Sequence, residues 1–312
     1  AADTEGKELI RQIRNSGAYN IKLSPNGKEI GFVMHGDVYV TSIEYRTTKQ
    51  ITNTPEQERY IDFSPDGRTI IYDSERNGVW QIYATTMKNK DEKQFAYATE
   101  LVEERLTQSD QTSFQPKFSP DGKQIAFWEN RGTLRVMDAK GKNVKTAMDG
   151  KFVYSYSDGD IDFTWSPDSK WFCLEFIGNG RDPYSDIGIV SAEGGKITNI
   201  TNSAYINVLP RWVLDGGAIM FISNRYGLRS QASWGSQDDV LLAFVNEEAF
   251  DRYRLNKEEM ELLKETEKAE KAEKDNIVTI DIEEIDEDGK AVEGTKREGF
   301  TFTLGTAENV YK

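Results

Sequence analysis

The chain has 312 residues, of which 37% are hydrophobic and 11% aromatic, and its formal net charge is −14. No run of eighteen apolar residues occurs, so the sequence predicts no membrane-spanning helix, and the single cysteine, Cys173, excludes an intrachain disulfide. The chain also lacks a basic stripe, which argues against nucleic-acid binding.

One short turn motif recurs along the first two-thirds of the chain. Its proline has a backbone angle suited to the second position of a turn, its serine and its aspartate or asparagine can hydrogen-bond the local backbone, and its glycine tolerates positive φ. The copies begin 40, 55 and 47 residues apart, and a less regular fifth copy follows after a further 47 residues. They are Ser24–Gly27, Ser64–Gly67, Ser119–Gly122, Ser166–Ser169 and Val213–Gly216.

Each turn is flanked by short apolar segments in the same order. A bulky apolar residue precedes the turn, and these residues are Leu23, Phe63, Phe118, Trp165 and Trp212. A second apolar strand follows each turn, and then a third, which we place at Asp37–Val40, Trp80–Ala84, Leu134–Met137, Ile187–Val190 and Val240–Phe244. A fourth strand is marked by the endings KQIT, ERLT and KITNIT. Four strands per period of 40–55 residues predict an all-β protein, a β-propeller with five recognisable four-stranded antiparallel blades.

The strand pattern is lost in residues 246–275, which read as an acidic helical insertion in the last recognisable blade. Asn256 followed by Glu259 predicts an N-cap with its capping-box partner. Residues 246–290 contain 17 acidic and 8 basic side chains, so most of the negative charge lies here. An exposed helix without chemistry, or a helix whose apolar first half docks a neighbouring domain or subunit, would both fit.

Catalytic signatures are weak throughout the sequence. The sole histidine, His35, lies at a predicted hairpin tip, which is a poor position for a catalytic triad, and no G-x-S-x-G motif occurs. One histidine and one cysteine cannot build a zinc site from these ligands. Asp158, Asp160 and Asp162 could bind calcium in a loop, or they could form one polar face of an extended chain. We predict no catalytic residue, no metal and no cofactor.

Two loops share a Ser-x-Arg-x-Gly motif between the second and third strands of their blades. Their arginines, Arg76 and Arg225, could pair with an aspartate of the next blade or offer a bidentate donor to a peptide carboxylate. With Arg229 and Trp234, which lie further along the second loop, they are our candidate substrate-channel residues.

The SPDGKQIAF unit resembles the blade repeat shared by tricorn-type proteases, TolB and the propellers of prolyl oligopeptidases. Residues 14–40, 51–78 and 223–259, the last containing SWGSQDDV, resemble the second propeller of tricorn-like serine peptidases. This resemblance implies a large cytoplasmic peptidase in which the propeller channels peptides toward a protease core that follows a PDZ-like domain. No catalytic residue of that family can be matched in this chain.

The sequence therefore favours a non-catalytic propeller of a tricorn-like peptidase over residues 1–312. We expect an excerpt of a longer chain, part of a six- or seven-bladed ring without the PDZ-like and catalytic domains. The expected partners are peptides, the neighbouring domains of the same polypeptide and further copies of the chain. The alternatives are a TolB-like protein-interaction scaffold and a ligand-binding propeller enzyme. An upstream signal peptide would place the protein in the periplasm or outside the cell.

Overall fold

The structure is a computed structural model that describes residues 16–45, 47–178, 180, 184–228, 235–274, 277–282 and 297–303. The chain divides into two units, Ala1–Val245 and Asn246–Lys312. The first unit holds one antiparallel sheet for each copy of the turn motif, with neighbouring strands in sequence order. The five predicted blades are thereby confirmed.

The strands of the first two blades are β1 (Ala18–Leu23), β2 (Glu29–Met34), β3 (Asp37–Ser42), β4 (Thr48–Gln50), β5 (Glu58–Phe63), β6 (Thr69–Ser74), β7 (Gln81–Met87) and β8 (Leu101–Arg105). The next two blades contain β9 (Ser113–Phe118), β10 (Gln124–Glu129), β11 (Thr133–Asp138), β12 (Lys145–Met148), β13 (Phe163–Trp165), β14 (Trp171–Phe176), β15 (Asp186–Ser191) and β16 (Thr198–Asn199). Over the residues that the structure describes, the fifth blade has three strands, β17 (Asn207–Val213), β18 (Ala218–Ser223) and β19 (Asp239–Phe244).

The serine of each turn joins the first two strands of its blade. In the second blade the Ser64 hydroxyl donates to Asp66 Oδ1 at 2.6 Å and accepts from the backbone N–H of Thr69 at 2.9 Å. The same two bonds form at Ser24, Ser119 and Ser166. The fifth turn has Val213 in place of the serine. The backbone hydrogen bond that closes it runs from Gly217 N–H to Leu214 O, one residue further along the chain than the equivalent bond in the other four turns. The serine therefore determines the turn geometry that the other four blades share.

The threonine that ends each KQIT-type segment has an equivalent role at the third strand. Its hydroxyl accepts a hydrogen bond from the first part of that strand, at 2.8–3.0 Å, in three blades. These pairs are Thr52 with Val38 N–H, Thr107 with Ile82 N–H and Thr201 with Ile187 N–H. The shared ending thus marks a hydrogen bond that fastens the chain as it leaves the fourth strand.

The hydrophobic core lies between consecutive blades. Four buried clusters join the first blade to the second, the second to the third, the third to the fourth and the fourth to the fifth. Phe63 and Trp165 are buried in these clusters, as predicted for the residue before the turn. Leu23, at the same position in the first blade, is 61% exposed. Cys173 is also buried, where it contacts Thr164, and burial raises the pKa of its thiol to about 11.

The second unit contains two helices, α1 (Glu247–Arg254) and α2 (Lys257–Lys274), and a two-stranded sheet of β20 (Ile277–Ile282) and β21 (Arg297–Thr303). The predicted capping box is confirmed, since Asn256 Oδ1 accepts from Glu259 N–H at 3.0 Å and Glu259 Oε2 accepts from Asn256 N–H at 2.8 Å. Glu267 pairs with Arg252 of α1. Among the described residues no helix is long and apolar enough to cross a membrane. A single propeller domain over residues 1–312 and a ring of six or seven blades stay predictions.

The contrast between Trp165 and Leu23 gives a direct test of the blade packing. We expect Trp165→Ala to lower the free energy of unfolding by about 3–5 kcal/mol, because it removes a large aromatic side chain from a core. Leu23→Ala, at the same repeat position but exposed, should change it by about 0.5 kcal/mol or less. Urea denaturation of both variants and the parent chain measures the difference. Equal losses would contradict the assignment of the interblade core.

Candidate functional site

The first strand of each blade carries a charged or polar side chain two residues before the turn. The inner strands of successive blades lie beside one another, as β1 contacts β5, β5 contacts β9 and β13 contacts β17. Three of the five residues are cations and one is an acid, and their order along the chain is Lys22, Asp62, Lys117, Thr164 and Arg211. In the fourth blade Thr164 is uncharged, and Asp162, two residues earlier, contacts Lys117 and Arg211 instead. We call the surface formed by Lys22, Asp62, Lys117, Asp162 and Arg211 the charged wall.

Ion pairs connect the charged wall from one blade to the next. Lys22 Nζ lies 3.7 Å from Asp62 Oδ1, and Asp62 Oδ2 accepts a hydrogen bond from Phe118 N–H at 2.9 Å. Lys117 pairs with Asp162, which also lies 2.6 Å from an Arg211 nitrogen. Positive and negative side chains therefore alternate across the five blades.

Burial affects the two acids of the wall differently. Burial raises the pKa of Asp62, and this exceeds the opposing effect of Lys22 and Lys117. Burial also acts to raise the pKa of Asp162, but Lys117 and Arg211 together outweigh it and hold that pKa below its usual value. Asp162 is thus the firmly ionised centre of the wall, with two cationic partners.

Residues 153–162, which we call the strap, precede the inner strand of the fourth blade and extend to the second blade. Asp158 accepts hydrogen bonds from Arg59 at 2.9 Å and from Arg131 at 2.6 Å. The Tyr60 hydroxyl donates to the backbone oxygen of Asp158 at 3.3 Å. Gly159 has φ +85°, and a Cβ added to it would lie 1.6 Å from Tyr60 Oη, so the close approach requires glycine.

The three acids of the strap have separate partners. Asp158 binds the two arginines, while Asp160 accepts from the Ser155 hydroxyl and from the N–H groups of Tyr156 and Ser157 at 2.5–2.9 Å. Asp162 belongs to the charged wall. Within the described parts of the chain, no three metal-binding side chains form a cluster. The alternation of these acids thus serves three different sets of contacts.

Of the four predicted channel residues, the structure places Arg76 and Arg225 in the loops that follow the second strands of their blades. Arg76 pairs with Glu103 and lies 3.6 Å from Glu58, both in its own blade rather than the next one, and its guanidinium is 4.2 Å from the Tyr83 ring centroid. Arg225 lies 5.3 Å from the Tyr226 ring. Arg229 and Trp234 fall outside the described residues. A substrate-binding role for these four residues stays a prediction.

Sequence reasoning missed the charged wall and the strap. Aligning the five turn motifs shows Lys22, Asp62, Lys117 and Arg211 two residues before the turn, so part of that signal was available. The alignment does not reveal Asp162, which lies four residues before Ser166, because the aligned residue of the fourth blade is Thr164. The strap had no such signal, because its partners Arg59 and Tyr60 lie about a hundred residues earlier in the chain.

No family model matches the chain. A trigger factor from Treponema denticola is 54% identical over 41 residues, which are 13% of this chain and 9% of that protein. TolB of Francisella tularensis is 24% identical over 199 residues, which are 61% of this chain and 42% of that protein. The chain thus spans less than half the length of these curated relatives.

Among solved structures, a putative TolB from Agrobacterium tumefaciens aligns with a TM-score of 0.52 at 20% identity, covering 72% of this chain and 76% of that one. The tricorn protease aligns with a TM-score of 0.52 at 14% identity, covering 77% of this chain and 24% of the protease. The chain has relatives among TolB proteins, and its fold is that of the TolB-like β-propellers.

The strap contacts predict the effect of a change at Asp158. Asp158→Asn removes the negative charge that faces Arg59 and Arg131, so the strap should detach more often from the second blade. We expect chymotrypsin to cleave after Tyr154 and Tyr156 several times faster in this variant than in the parent chain. The control is Asp110→Asn, at an exposed loop residue. Equal cleavage rates in the two variants would show that the ion pairs do not hold the strap.

The same contacts predict a dependence on pH. Burial opposes ionisation of Asp158, but Arg59 and Arg131 outweigh it and hold its pKa below the usual value of about 3.9. The stabilisation is therefore complete above the unfolded pKa and is lost as the pH falls through the folded pKa. At pH 7 we expect the parent chain to exceed Asp158→Asn by about 1–3 kcal/mol in free energy of unfolding. Urea denaturation at pH 3, below the unfolded pKa, should show a smaller difference, and an unchanged difference would exclude this linkage.

Proposed function

We propose that this chain is a protein-interaction β-propeller of the TolB type, and that the charged wall and the strap form its contact surface. The observation that carries the proposal is the set of exposed side chains gathered there. Lys22 and Arg211 keep 43% and 42% of their side chains exposed although both form ion pairs. Tyr154 and Tyr156 of the strap are 59% and 67% exposed.

The composition of this surface supports binding of a protein. Tyrosine and arginine are enriched among the residues that contribute most to protein–protein binding. The two tyrosines contact each other, with ring centroids 4.9 Å apart, and this contact lowers the side-chain entropy that is lost on binding. Alternating charges add specificity, because a partner with the wrong charge order would place like charges together. The sequence relatives named TolB support the same proposal.

A second candidate is the channelling of peptides toward a tricorn-like protease core. It is favoured by the fold shared with the tricorn protease over 77% of this chain. A wall of paired charges also suits short peptides, whose termini and backbone are polar. This candidate requires a protease core encoded beyond the stretch that matches the propeller, which sequencing of the surrounding gene would reveal.

Photo-crosslinking distinguishes the two candidates. A benzophenone amino acid placed at Tyr154 should give one defined adduct with a folded protein in the cells that produce this chain. The control position is Tyr45, which is 66% exposed on the first blade. Mass spectrometry of the adducts then identifies the partner.

Three outcomes are informative. A protein adduct at Tyr154 that is absent at Tyr45 supports the interaction propeller, and adducts with many short peptides support channelling instead. The same adducts at both positions, or none at either, would overturn the assignment of this surface as the contact site.

A further inference from the structure

A cavity of about 230 Å³ lies between the strap and the fourth and fifth blades. Tyr154, Tyr156 and Ile161 line it from the strap, and Glu175 lines it from β14. Its remaining lining residues are mainly apolar, and the described residues around it contribute two charges, the carboxylates of Glu175 and Asp160. The volume is below the range of about 300–1,000 Å³ that is typical of pockets for whole small molecules. It therefore suits a single side chain.

Glu175 is held in place by one backbone hydrogen bond. Its Oε1 accepts from the N–H of Leu209 at 2.7 Å. Leu209 has φ +55° at an irregularity in β17, and this conformation turns its N–H toward the fourth blade. Burial, with smaller contributions from Asp162 and Asp160, raises the pKa of Glu175 to about 7 against the opposing effects of Leu209 N–H and Arg211. Within the described residues, no lysine or arginine forms an ion pair with Glu175.

The second blade has a carboxylate at the same repeat position, and there it is paired with a cation of the same chain. Asp73 follows Ser64 by nine residues, as Glu175 follows Ser166, and it accepts from the N–H of Gln115 in the next blade at 3.3 Å. Unlike Glu175, Asp73 also pairs with a guanidinium, that of Arg59, at 2.8 Å. The Arg59 guanidinium lies 3.6 Å from the ring centroid of Trp80. In the second blade one guanidinium thus contacts both a carboxylate and an aromatic ring of the same blade.

The fourth blade has the carboxylate and the aromatic rings of this arrangement but no guanidinium. Arg59 precedes its turn serine by five residues, and the residue at that count in the fourth blade is Ile161, which lines the cavity. Asp162, the next residue, is engaged with Lys117 and Arg211 in the charged wall. Tyr154 and Tyr156 supply the rings. The cavity therefore lies where the second blade has its arginine.

We propose that this cavity binds the guanidinium of an arginine side chain from a partner protein, paired with Glu175 and packed against Tyr154 and Tyr156. The inference rests on the proposed function and names the chemistry by which the partner is recognised. A guanidinium can bind a carboxylate in a bidentate manner and stack on an aromatic ring at the same time, which an ammonium does less well. The two carboxylates and the absence of a cation among the described lining residues provide the charge complementarity.

The test uses the full chain and the blocked peptide acetyl-Gly-Gly-Arg-Gly-Gly-amide. Its matched control replaces arginine by citrulline, which has the same shape but no charge. We expect NMR titration to show at least tenfold weaker binding of the citrulline peptide. Glu175→Gln should remove this preference while its amide oxygen still accepts from Leu209 N–H. Glu193→Gln, at an exposed residue paired with Lys145 outside the cavity, should keep it.

Further measurements keep the proposal falsifiable if Glu175→Gln fails to fold. Tyr154→Ala, at an exposed residue, should weaken binding of the arginine peptide several-fold and leave the thermal melting curve unchanged. Binding of that peptide to the parent chain should strengthen as the pH rises through about 7, because Glu175 then ionises. Equal binding of the arginine and citrulline peptides, or a preference that survives in Glu175→Gln, would overturn the proposal. Arginine-selective binding without a crosslinked partner at Tyr154 would reject the proposed function alone.

Discussion

The buried hydroxyl of the turn serine is the contact on which the rest of the first unit depends. In the second blade it joins Asp66 to the backbone of Thr69 and thereby fixes how β5 pairs with β6. Because side chains alternate between the two faces of a strand, a slip of one residue would exchange those faces. Phe63 would then leave the core between the blades, and Asp62 would enter it as a buried charge. One hydroxyl in each of the first four turns thus determines both the packing of those blades and the position of their charged-wall residues.

Each acid of the charged wall has partners in the two neighbouring blades. Asp162 of the fourth blade has Lys117 on one side and Arg211 on the other. Removal of one member of a partly buried ion pair leaves its partner without compensation, which costs more than an exposed pair contributes. The ion pairs of the wall therefore support the alignment of neighbouring blades, in addition to the binding role that we propose for them. The same side chains are structural and available for binding.

The repeating part of this architecture could be predicted from the sequence, because each copy contains its own turn, strands and apolar residue. The four Ser-Pro turns, the buried Trp165 and the capping box at Asn256 illustrate this. The strap could not be predicted, since its position depends on contacts with Arg59 that no local pattern encodes. The different environments of Leu23 and Phe63 could not be predicted either. The two residues occupy equivalent positions but differ in whether a neighbouring blade covers them. Local chemistry determines the blade, and tertiary contacts determine which of its faces stay exposed.

The cavity for which we propose a binding role lies in the fourth blade, where the repeat is interrupted. The inner strand of the fourth blade has three residues, whereas those of the other four blades have six or seven, and the strap replaces the missing part. In the second blade the longer strand carries Arg59, which pairs with Asp73 from within the chain. In the fourth blade the residue at the same count is Ile161, and a cavity lies beside Glu175. A carboxylate in so apolar a setting is costly to ionise unless a cation accompanies it. The second blade supplies an arginine to its carboxylate from within the chain, and we propose that a partner protein supplies the arginine in the fourth blade.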